Sequence, residues 1–209
     1  MNKIQLFTYD ISLYDGEFDM SYFSDSLAEH INRYKLEKDQ LRSYCLYRLL
    51  RFAIKKDFLS VEFQPTGCPI LPDEEFFISL SHSGNIVAVA ISQKKLSIDL
   101  EVVSERVLQL NCEKWLTTAE QSLYKSLPPK KQIRYLTKVW TEKECYVKYD
   151  GRGIKAMFGN GAIDFAKLPI KFNFTPKFVT DAYSNKYCLT VCTEDNVRVV
   201  SKRIKEFNK

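Results

Sequence analysis

The order of elements in the sequence predicts an α+β fold built as two halves. Strand patterns open the chain, two helical stretches follow, strands return, and after Glu101 a second run of helices again gives way to strands. No Pro-, Gly- or Ser-rich linker separates the two series, so the halves are expected to pack together, 1–96 as the first and 97–209 as the second. At 209 residues, 45% hydrophobic and 27% charged, the chain is long enough and apolar enough to bury a real core.

Each element has its own signal. Ile4–Tyr9 reads as a strand, and Ser21–Tyr34 and Lys38–Lys55 as helices, the second with Leu41, Cys45, Leu49 and Phe52 on its inner face. Leu59–Phe63 is a short strand, followed by a turn at Thr66-Gly67-Cys68-Pro69. Phe76–Leu80 and Ile86–Ser92 are strands, and Leu96–Leu100 is expected to pair with the latter across Gln93-Lys94-Lys95. Thr117-Thr118-Ala119-Glu120 matches a capping box and starts a short helix running to Leu127. A long helix opens after Pro128-Pro129 and closes at Gly151, with Leu136, Val139, Trp140, Tyr146 and Val147 as its apolar stripe. Ile170–Phe174, Tyr187–Thr193 and Val197–Ile204 close the chain as strands.

Composition excludes several classes. The six cysteines (45, 68, 112, 145, 188, 192) contain no CxxC pair and no zinc spacing, so they read as reduced, mostly buried thiols of a cytoplasmic protein. Asp10 interrupts the N-terminal apolar run before a signal peptide could form, and no stretch is long enough to span a membrane. The net charge of +5 is compatible with anionic partners. Without Gly-rich or aromatic RNA-binding motifs, it does not make a nucleic-acid-binding protein.

Four stretches can carry chemistry. In Ser97-Ile98-Asp99-Leu100-Glu101, residues two apart on a strand share a face, so Asp99 and Glu101 point the same way while Ile98 and Leu100 enter the core. Two such carboxylates repel unless a cation lies between them, and oxygen donors suit a hard ion such as Mg²⁺. A strand end leaving its polar face in solvent explains an isolated DxE equally well. On the long helix, Glu144 and Lys148 are four apart and flank the stripe, either as a ligand-binding pair or as an ordinary surface ion pair. Lys143 falls within the stripe, where its ammonium must snorkel or find a partner. Ser79-Leu80-Ser81-His82-Ser83-Gly84 places a histidine among hydroxyls, suited to a phosphate or satisfied by backbone. Arg42-Ser43 on the second helix offers charge and hydroxyl to a phosphate, or simply a solvated face, and His30 reads as a surface residue.

In this order, these pieces resemble the 4'-phosphopantetheinyl transferases of the surfactin-synthetase-activating type. That family shows a Gly-Lys-Pro segment, an Asn-x-Ser-His-Ser run, a Gly-Ile-Asp-x-Glu strand, a Phe-x-x-x-Glu helix start and Trp-x-x-Lys-Glu-x-x-x-Lys with Gly-x-Gly. The chain has Gly67-Cys68-Pro69, then Ser79 to Ser83, then Ser97 to Glu101, then Leu116 (or nearby Trp115) with Glu120, and finally Trp140 to Lys148 with Gly151 and Gly153. Each motif is weak alone, and five in register are specific. The likeness runs from about Arg33 to Phe165. Four positions depart from the pattern: Cys68 replaces lysine, Ser97 replaces glycine, and Leu27 and His30 stand where some members carry lysines.

The resemblance implies transfer of the phosphopantetheine arm of coenzyme A to a serine of an apo acyl or peptidyl carrier protein, with release of adenosine 3',5'-bisphosphate. It implies a cytoplasmic monomer of two similar halves related by a pseudo-twofold, with the site in the cleft between them. Asp99, Glu101 and Glu144 would hold Mg²⁺, Glu144 would take the serine proton, and Lys148 would meet the pyrophosphate. Arg42, Ser43, Gly67, Pro69, Ser81, His82 and Lys143 would complete the coenzyme A site. Val107, Leu108, Leu110 and Trp115 would contact the carrier. The alternative from another class is a non-catalytic module of the same fold that binds coenzyme A or a carrier, motivated by Cys68 and the missing lysines.

Overall fold

The computed structural model describes residues 3–65, 67–71, 75–153, 157 and 162–207. Thr66 of the expected turn lies outside them. The chain is a mixed α+β protein that divides into two compact units, Met1–Lys95 with Val197–Lys209, and Leu96–Asn196. The final strand therefore belongs with the first unit, whereas the sequence reading left it in 97–209.

In the first unit, β1 (Lys3–Asp10) lies inside a sheet with α1 (Asp25–Asn32) and α2 (Glu37–Ile54) following it in sequence. Two short strands, β2 (Glu62–Phe63) and β3 (Pro69–Ile70), pair with each other. β4 (Phe77–Ser83) and β5 (Ile86–Ser92) form a hairpin whose two-residue loop starts with Gly84 at φ 53°, a left-handed angle that glycine adopts without steric cost. β9 (Arg198–Ile204) returns parallel to β1, giving the order β4-β5-β1-β9. α2 packs on β5 and β1. Its residues 43–50 are all buried, more than the single inner face expected, because Tyr44 and Arg48 are covered by aromatic rings as well as by the sheet side. Leu27 is core, fully buried with Ile31. His30 is not a simple surface residue: its ring stacks on Phe63 at 4.2 Å, and burial helped by Arg33 pushes its pKa down to about 4.

The second unit carries β6 (Ser97–Val102), α3 (Arg106–Gln109), α4 (Thr118–Ser126), α5 (Pro129–Asp150), β7 (Asn173–Thr180) and β8 (Lys186–Thr193). β6 pairs antiparallel with β8, not with β5 as the sequence suggested, and the sheet order is β6-β8-β7. The three residues Gln93-Lys94-Lys95 look like a hairpin loop but instead lead from one sheet into another. Burial accounts for the choice: Ile98 and Leu100 find Val191 and Leu189 opposite them on β8, all four at 2% exposure or less.

α5 has two buried sides. The predicted stripe, Leu136, Val139, Trp140, Tyr146 and Val147, is buried, with Trp140 packed edge-on to the fully buried Trp115 at 5.2 Å. The other side lies on β6 and β8 through small side chains. Thr141 Oγ1 meets Thr190 Oγ1 at 2.8 Å, and Ser97 Oγ donates to the Cys145 carbonyl at 2.6 Å while Cys145 Sγ donates back to the Ser97 carbonyl at 3.1 Å. Proline begins the helix, where its missing N–H costs nothing, and Gly151 ends it in the left-handed region at φ 80°.

Lys143 finds its partner inside the unit. Its side chain is fully buried, and its ammonium donates to the Trp115 carbonyl and to Glu120 Oε2, both at 2.6 Å. Glu120 is the acidic member of the α4 capping box, so this lysine pins α5 to the start of α4. Burial draws the Lys143 pKa down, and Glu120 partly offsets that. Lys143→Met keeps the apolar stem and removes the ammonium, taking this donor from the buried Trp115 carbonyl and leaving Glu120 only the Thr117 amide on that oxygen. A loss of about 1–3 kcal/mol is expected in urea unfolding, and stability equal to the wild type would show the ammonium to be dispensable.

Candidate active site

The acidic strand and the long helix meet within the second unit. Ser97, Asp99 and Glu101 alternate along β6 on the face that α5 covers, so Asp99 is only 3% exposed rather than facing solvent. The fixed contact between Ser97 and Cys145 sets the register. One helical turn further along α5, Lys148 reaches β6, where its ammonium is bonded to Asp99 Oδ1 and lies 3.5 Å from the Ile98 carbonyl. Glu144 stands one turn before Lys148 on the same flank, its Oε2 4.0 Å from the same ammonium. Glu101, partly exposed at the far end of the strand, accepts the Val102 amide at 3.0 Å.

The electrostatics follow from this crowding. Burial and then the Asp99 carboxylate, with Glu101 and a hydrogen bond to Asp99 adding to them, push Glu144 up to about 7 against the opposing pull of Lys148. Burial acts to lower Lys148, but the carboxylates of Asp99 and Glu144 outweigh it and its pKa is raised. The result is a carboxyl group that exchanges its proton near neutrality, beside a cation that keeps its own. Chemically, the group can accept a proton from a hydroxyl and present positive charge to a phosphate.

Among the described residues, no three His, Cys, Asp or Glu side chains are gathered closely enough to hold a metal ion. The ammonium of Lys148 supplies the positive charge between Asp99 and Glu144. The donor chemistry nonetheless suits a hard cation: three carboxylates on two adjoining elements, two of which oppose ionisation of the third.

The remaining expected residues fall into three groups. Arg42, Ser43, Ser81 and His82 lie in the first unit, and Arg42 Nε donates to the Gly84 carbonyl at 3.1 Å, bringing the helix to the hairpin loop that ends the Ser81–His82 strand. Ser43 and Ser81 are buried, His82 is exposed, and Arg42 also pairs with Asp39 at 2.6 Å. Gly67 (φ 82°) and Pro69, the first residue of β3, flank the exposed Cys68. Lys143 does not join the site, because its ammonium is enclosed between Trp115 and Glu120. Of the expected carrier contacts, Val107 and Trp115 are core and Leu108 is 44% exposed. The sequence reading missed the seam that positions everything else, Ser97 and Cys145. The signal was the row of small residues Thr137, Thr141 and Cys145 at helical spacing.

Residues 95–197, which hold every member of this acid–lysine cluster, match the 4'-phosphopantetheinyl transferase superfamily. Over that region the chain is similar to the superfamily. It is similar to a 4'-phosphopantetheinyl transferase of Bacillus subtilis, 28% identical over 156 residues that cover 69% of this chain and 68% of the relative. The 4'-phosphopantetheinyl transferase Sfp of Bacillus subtilis strain 168 is 26% identical over 153 residues, 69% of this chain and 67% of that protein. A holo-[acyl-carrier-protein] synthase of Streptococcus pyogenes is 40% identical over a shorter stretch of 62 residues, 27% of this chain and 52% of the relative.

The raised Glu144 pKa has a measurable sign. An unfolded glutamate titrates near about 4.3, so between there and about 7 the folded chain holds the extra proton. The stability Glu144 contributes is complete below the unfolded value and is lost as pH rises through the folded one. In buffer containing a chelator, wild-type stability should fall relative to Glu144→Gln between pH 5 and pH 8 in urea titrations. Parallel curves for the two proteins would contradict the assignment.

Proposed function

We propose that the acid–lysine cluster of β6 and α5 is the catalytic centre of a phosphopantetheinyl transfer reaction. The carrying observation is the placement of Glu144, raised to about 7, next to Lys148 and the buried Asp99. The serine hydroxyl of an apo carrier protein attacks the phosphorus that bears the phosphopantetheine arm of coenzyme A. The new serine O–P bond forms as the bond to the nucleotide phosphate breaks, and adenosine 3',5'-bisphosphate departs with the electron pair.

Glu144 accepts the proton that the serine must lose, which its position near neutrality allows without a large driving force against it. Lys148, already held cationic by its carboxylate neighbours, offers its ammonium to the pyrophosphate and to the leaving phosphate. Asp99 fixes that ammonium in place. Asp99, Glu101 and Glu144 are the residues that would hold Mg²⁺, and a bound Mg²⁺ would supply charge neutralisation on the diphosphate. The nucleotide end of coenzyme A falls to Arg42, Ser43, Gly67, Pro69, Ser81 and His82 of the first unit. Arg42 and the Ser81–His82 strand, brought together through the Gly84 carbonyl, are its strongest pairing. Cys68, standing where the family pattern has lysine, leaves one cation fewer for that end, so weaker coenzyme A binding than the family pattern provides is part of the proposal.

Incubation of the chain with coenzyme A, Mg²⁺ and several apo acyl and peptidyl carriers should add the phosphopantetheine mass to a carrier serine, read by mass spectrometry. Coenzyme A binding without any such mass increase would favour the binding-module alternative. Glu144→Gln should lower transfer by roughly 10²–10⁴-fold, the ordinary contribution of a positioned acid–base group, with an unchanged far-UV spectrum. Removing divalent cations with a chelator should stop transfer and adding Mg²⁺ should restore it; undiminished transfer in chelator would rule out the cation's role.

A further inference from the structure

A cavity in the first unit takes no part in the chemistry above. It encloses about 620 Å³ between the end of β1, the loop after it, α2 and the segment following β9. That volume falls in the range of small-molecule sites. Four tyrosines (9, 14, 22 and 44) and Phe207 line it, and Arg48 reaches it from the middle of α2.

Arg48 is the feature that requires explanation. It is 7% exposed, and its guanidinium lies over the Tyr22 ring at 4.2 Å and the Phe207 ring at 5.5 Å. A guanidinium carries five N–H donors. Here Nη1 has one long bond to Tyr44 Oη at 3.4 Å, and the buried Nε has no hydrogen-bond partner. Among the described residues, no carboxylate lies within ion-pair distance of it. Ring faces and the charge of the nearby Asp19 carboxylate offset part of the desolvation of the cation, but an enclosed guanidinium without a directly bonded anion remains costly. An anion entering the cavity would supply the missing acceptors in bidentate form.

The mouth limits which anion. Asp15, Glu17 and Glu206 line it and are exposed, against Lys205 as the one cation there among the described residues. Asp19 also borders the cavity, but its carboxylate is engaged by the amide and hydroxyl of Ser21 at 3.0 and 2.6 Å. A phosphate dianion passing those three carboxylates is repelled. A carboxylate that carries its own ammonium is not, because the ammonium is drawn to the rim while the carboxylate goes to the floor. We propose that this cavity binds a small α-amino acid with an apolar side chain, its carboxylate on Arg48, its ammonium toward Asp15, Glu17 and Glu206, and its side chain against the tyrosine walls. This goes beyond the transfer reaction and stands or falls separately from it.

Calorimetry on the full chain tests the assignment with four probes: phenylalanine, 3-phenylpropionate, which lacks the ammonium, phenethylamine, which lacks the carboxylate, and inorganic phosphate. Phenylalanine should bind saturably, 3-phenylpropionate several-fold more weakly, and the other two not at all. Arg48→Met, which keeps most of the buried volume, should weaken phenylalanine at least tenfold. Because Arg48 is buried, the exposed pair Glu17→Gln and Glu206→Gln gives an independent reading. It should weaken phenylalanine several-fold while leaving 3-phenylpropionate at least as tight as before. Absence of saturable phenylalanine binding into the millimolar range, phosphate binding tighter than phenylalanine, or unchanged affinity in either variant would overturn the proposal.

Discussion

The register of α5 against β6 is the constraint on which the candidate site depends. It is set by small groups rather than large ones. The Ser97 hydroxyl and the Cys145 backbone and thiol exchange two hydrogen bonds across the helix–strand contact, and Thr141 meets Thr190 alongside. Side chains of that size let the helix come close to the sheet, and the close approach lets a lysine one turn later reach a strand carboxylate. A shift of α5 by one residue would rotate Glu144 and Lys148 by about 100° off the acidic strand. Ser97, which departs from the glycine of the family pattern, thus contributes a contact that a glycine has no side chain to make.

Two lysines five positions apart on this helix illustrate how placement decides role. Lys143 has its ammonium enclosed between a backbone carbonyl and a capping carboxylate, where it ties α5 to the start of α4. Lys148 is more than a third exposed, and its ammonium sits at the edge of an acid cluster whose charges keep it protonated. The same functional group is a structural pin in one position and a candidate phosphate partner in the other. The difference comes from which side of α5 each faces.

Much of the element list was legible in the sequence because periodicity and caps are local. The capping box at Thr117 and Glu120, the glycine stop at Gly151, and the apolar stripe from Leu136 to Val147 follow from residues within a few positions of each other. The alternation of Asp99 and Glu101 on one strand face was legible for the same reason. Pairing was not: β6 beside β8 is a contact between segments about ninety residues apart, and the short Gln93–Lys95 stretch gives the appearance of a local hairpin. The second buried side of α5 was also hidden, since Thr137, Thr141 and Cys145 carry no strong hydrophobic signal. Arg48 went unnoticed for a related reason, because a mid-helix arginine is ordinary on the surface and becomes unusual only when rings enclose it.

The parallel pairing of β9 with β1 has a consequence for how the chain acquires its structure during synthesis. All of the residues that build the sheet β6-β8-β7 leave the ribosome before β9 does, so that sheet can close early. The first sheet cannot: until residues 198–204 emerge, β1 is an edge strand with one row of backbone groups exposed, although it is made before the other strands of its sheet. Strand β1 therefore waits for β9.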